Sequence, residues 1–82
     1  MYYLYILKCA DNTLYTGITT DLKRRVGEHN GGKLGAKYTS ARRPVEVVYS
    51  KKFKNRALAS RAEAKIKKIT RAEKLALIKN KD

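Results

Sequence analysis

Residues 2–18 read YYLYILKCADNTLYTGI, and the fold follows from how this stretch divides. Tyr2 to Cys9 is rich in aromatic and β-favouring side chains and reads as a strand. Asp11-Asn12 follows, a turn pair that tolerates left-handed backbone. Leu14-Tyr15-Thr16-Gly17-Ile18 reads as a second strand, so two strands around a short polar turn predict an antiparallel hairpin. Tyr3 and Tyr5 alternate with Leu4 and Ile6 and therefore share one face, while Tyr15 stands in the paired strand.

Downstream, Thr19-Thr20-Asp21 reads as a helix start, with Thr20 as the cap and an acid in the first turn. The helix runs from about Asp21 to Asn30, where Gly31-Gly32 stops it. Residues 31–43 form a glycine-rich basic loop. Pro44 precedes a third strand, Val45 to Tyr49. Asn55 can cap a helix whose apolar stripe is Leu58, Ala62, Ile66 and Ile69. Thr70 recaps a last helix carrying Leu75 and Ile78. The predicted order is ββαβαα, an α+β chain in which helices must cover the sheet to make a core.

The chain has 82 residues, which suits one small domain over residues 1–82. Its hydrophobic fraction of 43% suits a folded domain rather than a disordered one. Twenty Lys and Arg face seven Asp and Glu, a formal net charge of +13. Repulsion at that density opposes compaction, so a polyanionic partner is implied. Nucleic acid fits, because neutralising phosphates releases condensed counterions. A membrane fits poorly. No segment joins a long apolar face to a basic one, and the run Tyr2 to Leu7 is too short to span a bilayer and lacks the leader of a signal peptide. One cysteine, Cys9, permits no internal disulfide and no cysteine-based zinc site, and a reduced, cytoplasmic setting is the default expectation.

Several residues depart from a purely structural pattern. On a helical wheel, His29 falls on the inward stripe of Leu22 and Val26, and Arg25 flanks it. One reading has Arg25 snorkelling and His29 closing the core edge. The other has both lining a cleft, Arg25 to hold a phosphate and His29 to move or orient a proton. Glu63 lies on a helix surrounded by Arg61, Lys65, Lys67 and Lys68. It can pair with Lys67 at i,i+4, or serve as a ligand for a hard divalent cation. The hairpin tyrosines can fill a sheet face, or a phenol beside a cation can act as a base. Gly17 marks either a bend or a close approach. In the basic loop, Lys33, Lys37, Arg42 and Arg43 surround Tyr38, a mixture of cations and one aromatic that suits nucleic-acid contact. The alternative is a solvated connector.

Taken in order, Tyr3-Leu4-Tyr5, Tyr15-Thr16-Gly17, Arg25, His29 and Glu63 resemble the GIY-YIG nuclease pattern over nearly the whole chain. The stretches Leu-Tyr-Thr-Gly-Ile-Thr-Thr-Asp, Ala-Lys-Tyr-Thr and Arg-Ala-Glu look like the small standalone UPF0213 or YhbQ-like group. The opening glycine of the first motif is missing, and Thr16 fills the middle of the second. The resemblance implies a three-stranded antiparallel sheet flanked by helices. It also implies phosphodiester hydrolysis with one divalent metal, Mg²⁺ or Mn²⁺. By position, Tyr5 and Tyr15 match the motif tyrosines that orient or deprotonate water. Arg25 matches the arginine that binds the scissile phosphate, His29 a proton-transfer position, and Glu63 the metal-binding glutamate.

Three functions then compete. One is a metal-dependent endonuclease of low sequence specificity, acting on damaged, branched or single-stranded DNA as in repair or recombination. Another is a non-catalytic DNA- or RNA-binding module that kept the frame. The third is a subunit that cuts only when a protein partner supplies the targeting.

Overall fold

The division of the hairpin holds. The computed structural model describes residues 1–31 and 42–79, and in it strand β1 runs Tyr2–Cys9 and β2 runs Leu14–Thr19. Asn12 takes the left-handed conformation at φ 68°, which asparagine adopts more readily than most residues. The Asp11 carboxylate accepts from the Thr13 N–H at 3.1 Å and the Thr13 hydroxyl at 2.6 Å, which closes the turn. Helix α1 (Leu22–Gly31), strand β3 (Val45–Phe53) and helices α2 (Arg56–Lys68) and α3 (Arg71–Lys79) complete the ββαβαα order.

The three strands form one antiparallel sheet in the order β2-β1-β3. Strand β1 is central and covered on both faces, so Leu4, Tyr5, Ile6 and Leu7 are all buried. Residues opposed across a ladder share a face. Tyr3, Tyr5 and Leu7 therefore lie on one side with Thr19, Gly17 and Tyr15. On that side Tyr5, Leu7, Cys9 and Val45 form the core, with Leu22 and Val26 of α1 packed against it. Leu4 and Ile6 point to the other side. There Leu4 shares a groove with Ala62, Ile66 and Ile69 of the α2 region and Leu77 of α3.

The β1–β3 register shifts between Ile6 and Leu7, as a bulge does: Ile6 opposes Tyr49 but Leu7 opposes Val47. Val48 is the extra residue. The shift sets Val45 and Val47 against Cys9 and Leu7 and leaves Glu46 exposed on the other side.

Three local expectations need correction. Asp21, not Thr20, caps α1: its carboxylate accepts from the Arg24 N–H at 3.1 Å, and its carbonyl accepts from the Arg25 N–H at 3.0 Å. The Thr19 hydroxyl accepts from the Asp21 N–H at 3.2 Å, which starts the helix one residue later. The inward stripe of α2 is Ala59, Ala62, Glu63 and Ile66, while Leu58 is 39% exposed. The fully buried Ala59 is small enough for the helix to approach the sheet, where a leucine would hold it off. Strand β3 also runs on to Phe53, past its apolar part, because an edge strand needs a neighbour on one side only. Asn55 and Thr70 cap as expected. Asn55 accepts from the Leu58 N–H at 3.0 Å. Thr70 and Glu73 exchange bonds of 3.2 and 2.9 Å, a reciprocal capping box. Cys9 is a buried free thiol. No helix among the described residues is long and apolar enough to cross a membrane.

Candidate active site

The hairpin and α1 bring Tyr5, Tyr15 and His29 together. The Tyr5 hydroxyl and His29 Nε2 share a hydrogen bond of 3.0 Å. The Tyr15 ring lies edge-on to His29 with centroids 5.1 Å apart, and 6.4 Å from the Tyr5 ring. Both Tyr5 and His29 are essentially inaccessible, at 1% and 0% exposure, whereas Tyr15 is half-buried. His29 is therefore inward, as the helical stripe predicts, but it is a fully enclosed residue rather than one at the core edge. The backbone carbonyl of His29 accepts from Arg43 Nε at 2.6 Å, which ties the end of α1 to the chain entering β3.

Gly17 explains how the Tyr5 ring finds room. The two residues are directly opposed, and the ring lies across the glycine. A β-carbon at position 17 would stand 2.5 Å from the phenol oxygen and 2.8 Å from Cζ. Close approach, not a bend, is the reason for glycine here.

Arg25 joins the cluster from the half-exposed flank of α1. Its guanidinium is within hydrogen-bonding reach of the Tyr5 phenol and donates to Glu28 Oε1 at 2.9 Å. Glu28 is partly buried and also lies 3.9 Å from Arg24 Nε. The i,i+3 spacing of Glu28 from Arg25 is the sequence signal that locates this pair.

Burial chiefly raises the Tyr5 pKa, with the charges of Tyr15 and Glu63 adding to it, while the nearby Arg25 opposes the rise. Burial also lowers the His29 pKa, assisted by the positive charges of Arg25 and Arg43 and opposed by Glu28. At neutral pH the buried bond thus joins a neutral phenol to a neutral imidazole, with its direction set by the imidazole tautomer.

Glu63 sits on α2, which packs on the Leu4 side of the sheet against β2 and β1. Its charge still acts on the Tyr5 phenol, whose ring extends over Gly17 toward β2. Its carboxylate is 23% exposed and pairs with Lys67 at 3.3 Å, so the i,i+4 pair is present as well. No group of three or more His, Cys, Asp and Glu side chains comes together among the described residues.

Of the predicted nucleic-acid contacts, Lys33, Lys37 and Tyr38 lie outside the described residues. Arg42 pairs with Asp11 at 3.1 Å, and its carbonyl accepts from the Ala10 N–H at 2.9 Å. Together with the bond from Arg43 to His29, these place both arginines in contacts that hold the start of β3. Asn30 does the same by a route that sequence reasoning missed. Its side chain accepts from the Val45 N–H at 2.6 Å and donates to the Val45 carbonyl at 3.0 Å.

Comparison with known proteins bears on the family and the fold. The family model for the GIY-YIG catalytic domain matches residues 1–76. A UPF0213 protein of Streptococcus agalactiae serotype V is 57% identical over 77 residues, spanning 94% of this chain and 86% of the relative. A UPF0213 protein of Staphylococcus haemolyticus is 49% identical over 80 residues, spanning 98% and 96%. The solution NMR structure of the UPF0213 protein BH0048 from Bacillus halodurans matches with a TM-score of 0.64 and 43% identity, covering 99% of this chain and 86% of that one. That of the protein EF2693 from E. faecalis gives 0.65 and 42%, covering 95% and 82%. With its paired tyrosines, inward histidine and flanking arginine set on this sheet, the chain belongs to the GIY-YIG catalytic domain family.

Proposed function

We propose that this domain is a divalent-metal-dependent endonuclease that hydrolyses phosphodiester bonds in DNA with little sequence specificity. The observation that carries the proposal is the convergence of two phenols, one imidazole and one guanidinium at a single place beside β2. Arg25 would hold the scissile phosphate and stabilise charge developing on its oxygens, with Glu28 as its resting partner. Tyr15, the more accessible phenol, would orient the attacking water. The Tyr5 oxygen would take the water proton as it passes its own to Nε2 of His29, which burial keeps unprotonated at rest.

Glu63 would hold the metal. A single carboxylate suits Mg²⁺ or Mn²⁺, since Mg²⁺ often takes only one or two from protein and leaves the other positions to water and phosphate oxygens. Lys67 would have to release Glu63 for this. When bound, the cation supplies charge neutralisation at the phosphate. A cytoplasmic setting suits the free thiol of Cys9 and a nucleic-acid substrate.

A second reading is a nucleic-acid-binding module that does not cut. Full burial of Tyr5 and His29 favours it, because a hydrogen bond sealed in a core can be purely structural. The deciding experiment incubates purified protein with plasmid, single-stranded and branched DNA in Mg²⁺ or Mn²⁺. The nuclease proposal expects strand breaks that EDTA abolishes and that fall by about a hundredfold or more in Arg25→Ala and Glu63→Ala. Metal-independent breaks, or breaks that survive both substitutions, overturn it. Binding without products at any metal concentration establishes the second reading instead.

A further inference from the structure

The side of the sheet remote from Arg25 and His29 carries a second feature. Beyond the bulge, Tyr49, Lys51 and Phe53 of β3 oppose Ile6, Leu4 and Tyr2, so they share the Leu4 side. With Lys65 and Ile66 of α2, these residues line a groove of about 360 Å³. Tyr49 and Phe53 are half-buried, which leaves part of each ring open, and Lys51 and Lys65 are exposed. The Lys51 ammonium stands 5.6 Å from the centre of the Phe53 ring. From Val47 to Ala62 the chain contains no Asp or Glu, while Lys51, Lys52, Lys54, Arg56 and Arg61 all lie there.

The lysines of an edge strand can serve to block pairing with another copy of the chain. That role does not call for two partly open aromatic rings on one face of the strand, spaced four residues apart with a cation between them. Alternating rings and ammonium groups match a single nucleic-acid strand, whose bases stack on aromatics while its phosphates meet cations. A second copy of this chain is disfavoured at a net charge of +13, and an acidic peptide would leave the rings without planar partners.

We infer that this groove between β3 and α2 binds single-stranded nucleic acid, separately from the Tyr5–His29–Arg25 cluster. The inference rests on the reading that the partner is nucleic acid, but it does not need that cluster to be catalytic. It also means that a long substrate is gripped on two sides of the sheet.

The test measures binding of a fluorescent oligo-dT of about 20 nucleotides by anisotropy, in EDTA so that nothing is cut, across a salt series. The proteins are wild type, Tyr49→Leu/Phe53→Leu, Lys51→Gln/Lys65→Gln and Arg25→Ala. The aromatic pair should weaken binding by about tenfold or more, as loss of base stacking does. Replacing the two exposed lysines, which should not disturb folding, should reduce the magnitude of the log–log salt slope by about 1.4. Metal-dependent cleavage of a short duplex should be unchanged in both groove variants. Affinity and slope equal to wild type in both overturn the inference while leaving the nuclease proposal intact. Groove-dependent binding by a protein that never cuts does the reverse. Poly-glutamate displacing the oligonucleotide more readily than unlabelled oligo-dT would assign the groove to an acidic protein and also overturn the inference.

Discussion

The phenol ring of Tyr5 occupies the space that a side chain at Gly17 would fill, with the oxygen 2.5 Å from where a β-carbon would stand. Because Tyr5 is buried, its ring has little room to swing aside. Gly17→Ala should therefore cost about 1–3 kcal/mol of stability through overpacking. It should also lengthen the bond to His29 and reduce any cleavage activity. Urea denaturation reads the first effect, and the imidazole NMR shifts read the second. An alanine variant with wild-type stability and unshifted imidazole resonances would show that the ring moves freely.

Tyr5→Phe removes the hydroxyl and leaves the ring. A buried polar atom that loses a partner costs about 1–3 kcal/mol, so the variant should be measurably less stable although its apolar packing is unchanged. Loss of cleavage with stability equal to wild type would instead mean that the hydroxyl serves chemistry alone.

His29 is the only histidine, which makes its pH signature separable. Its folded pKa lies below the ordinary 6.5, chiefly through burial, so the unfolded chain binds the proton more readily. The stabilisation is present above the unfolded value and is lost as pH falls through the lower folded value. Urea midpoints should drop as pH falls from about 7 to about 5, before the carboxylates titrate. His29→Gln should flatten that slope, whatever it does to stability at neutral pH. A slope that persists in the variant would place the titrating group elsewhere.

Asn30 brackets Val45 with two hydrogen bonds, and each is worth about 0.5–1.5 kcal/mol net. Asn30→Ala should therefore destabilise by about 1–2 kcal/mol, the lower part of the range reflecting a partly exposed site. Asn30→Asp should cost less than alanine, because it keeps the acceptor for the Val45 N–H. Amide hydrogen exchange at Val45 and Val47 should quicken in the alanine variant.

The elements that sequence made legible are those whose determinants are local. Tyr2 to Cys9 and the Asp11-Asn12 turn specify the hairpin within a span of neighbours, and Asn55 and Thr70 cap their own helices. The inward placement of His29 follows from helical spacing alone. What stayed hidden depends on distant partners. Asn30 meets Val45 fifteen residues along the chain, and Arg43 reaches back to His29. Apolar spacing does not reveal whether Leu58 or Ala59 turns inward, because the choice follows from how closely α2 approaches the sheet. That choice also turns Glu63 inward as part of the packed stripe. The space over Gly17 was readable only as one of two possibilities until the ring of Tyr5 was seen to lie there.

Val48 acts as a phase inverter. On its N-terminal side, odd-numbered positions of β3 look toward α1; on its C-terminal side, they look toward α2. Removing that one residue would make Val47 and Tyr49 consecutive opposite Leu7 and Ile6, the partners they already have, so the ladder would become regular and both surfaces of the strand would keep their side chains. The aromatic rings would stay in the α2 groove and the hairpin would be untouched, while the local bend and added twist that the bulge gives β3 would be lost. A single-codon deletion would thus separate the curvature of the sheet's edge from the chemistry of its two faces, without altering any side chain of the Tyr5–His29–Arg25 cluster.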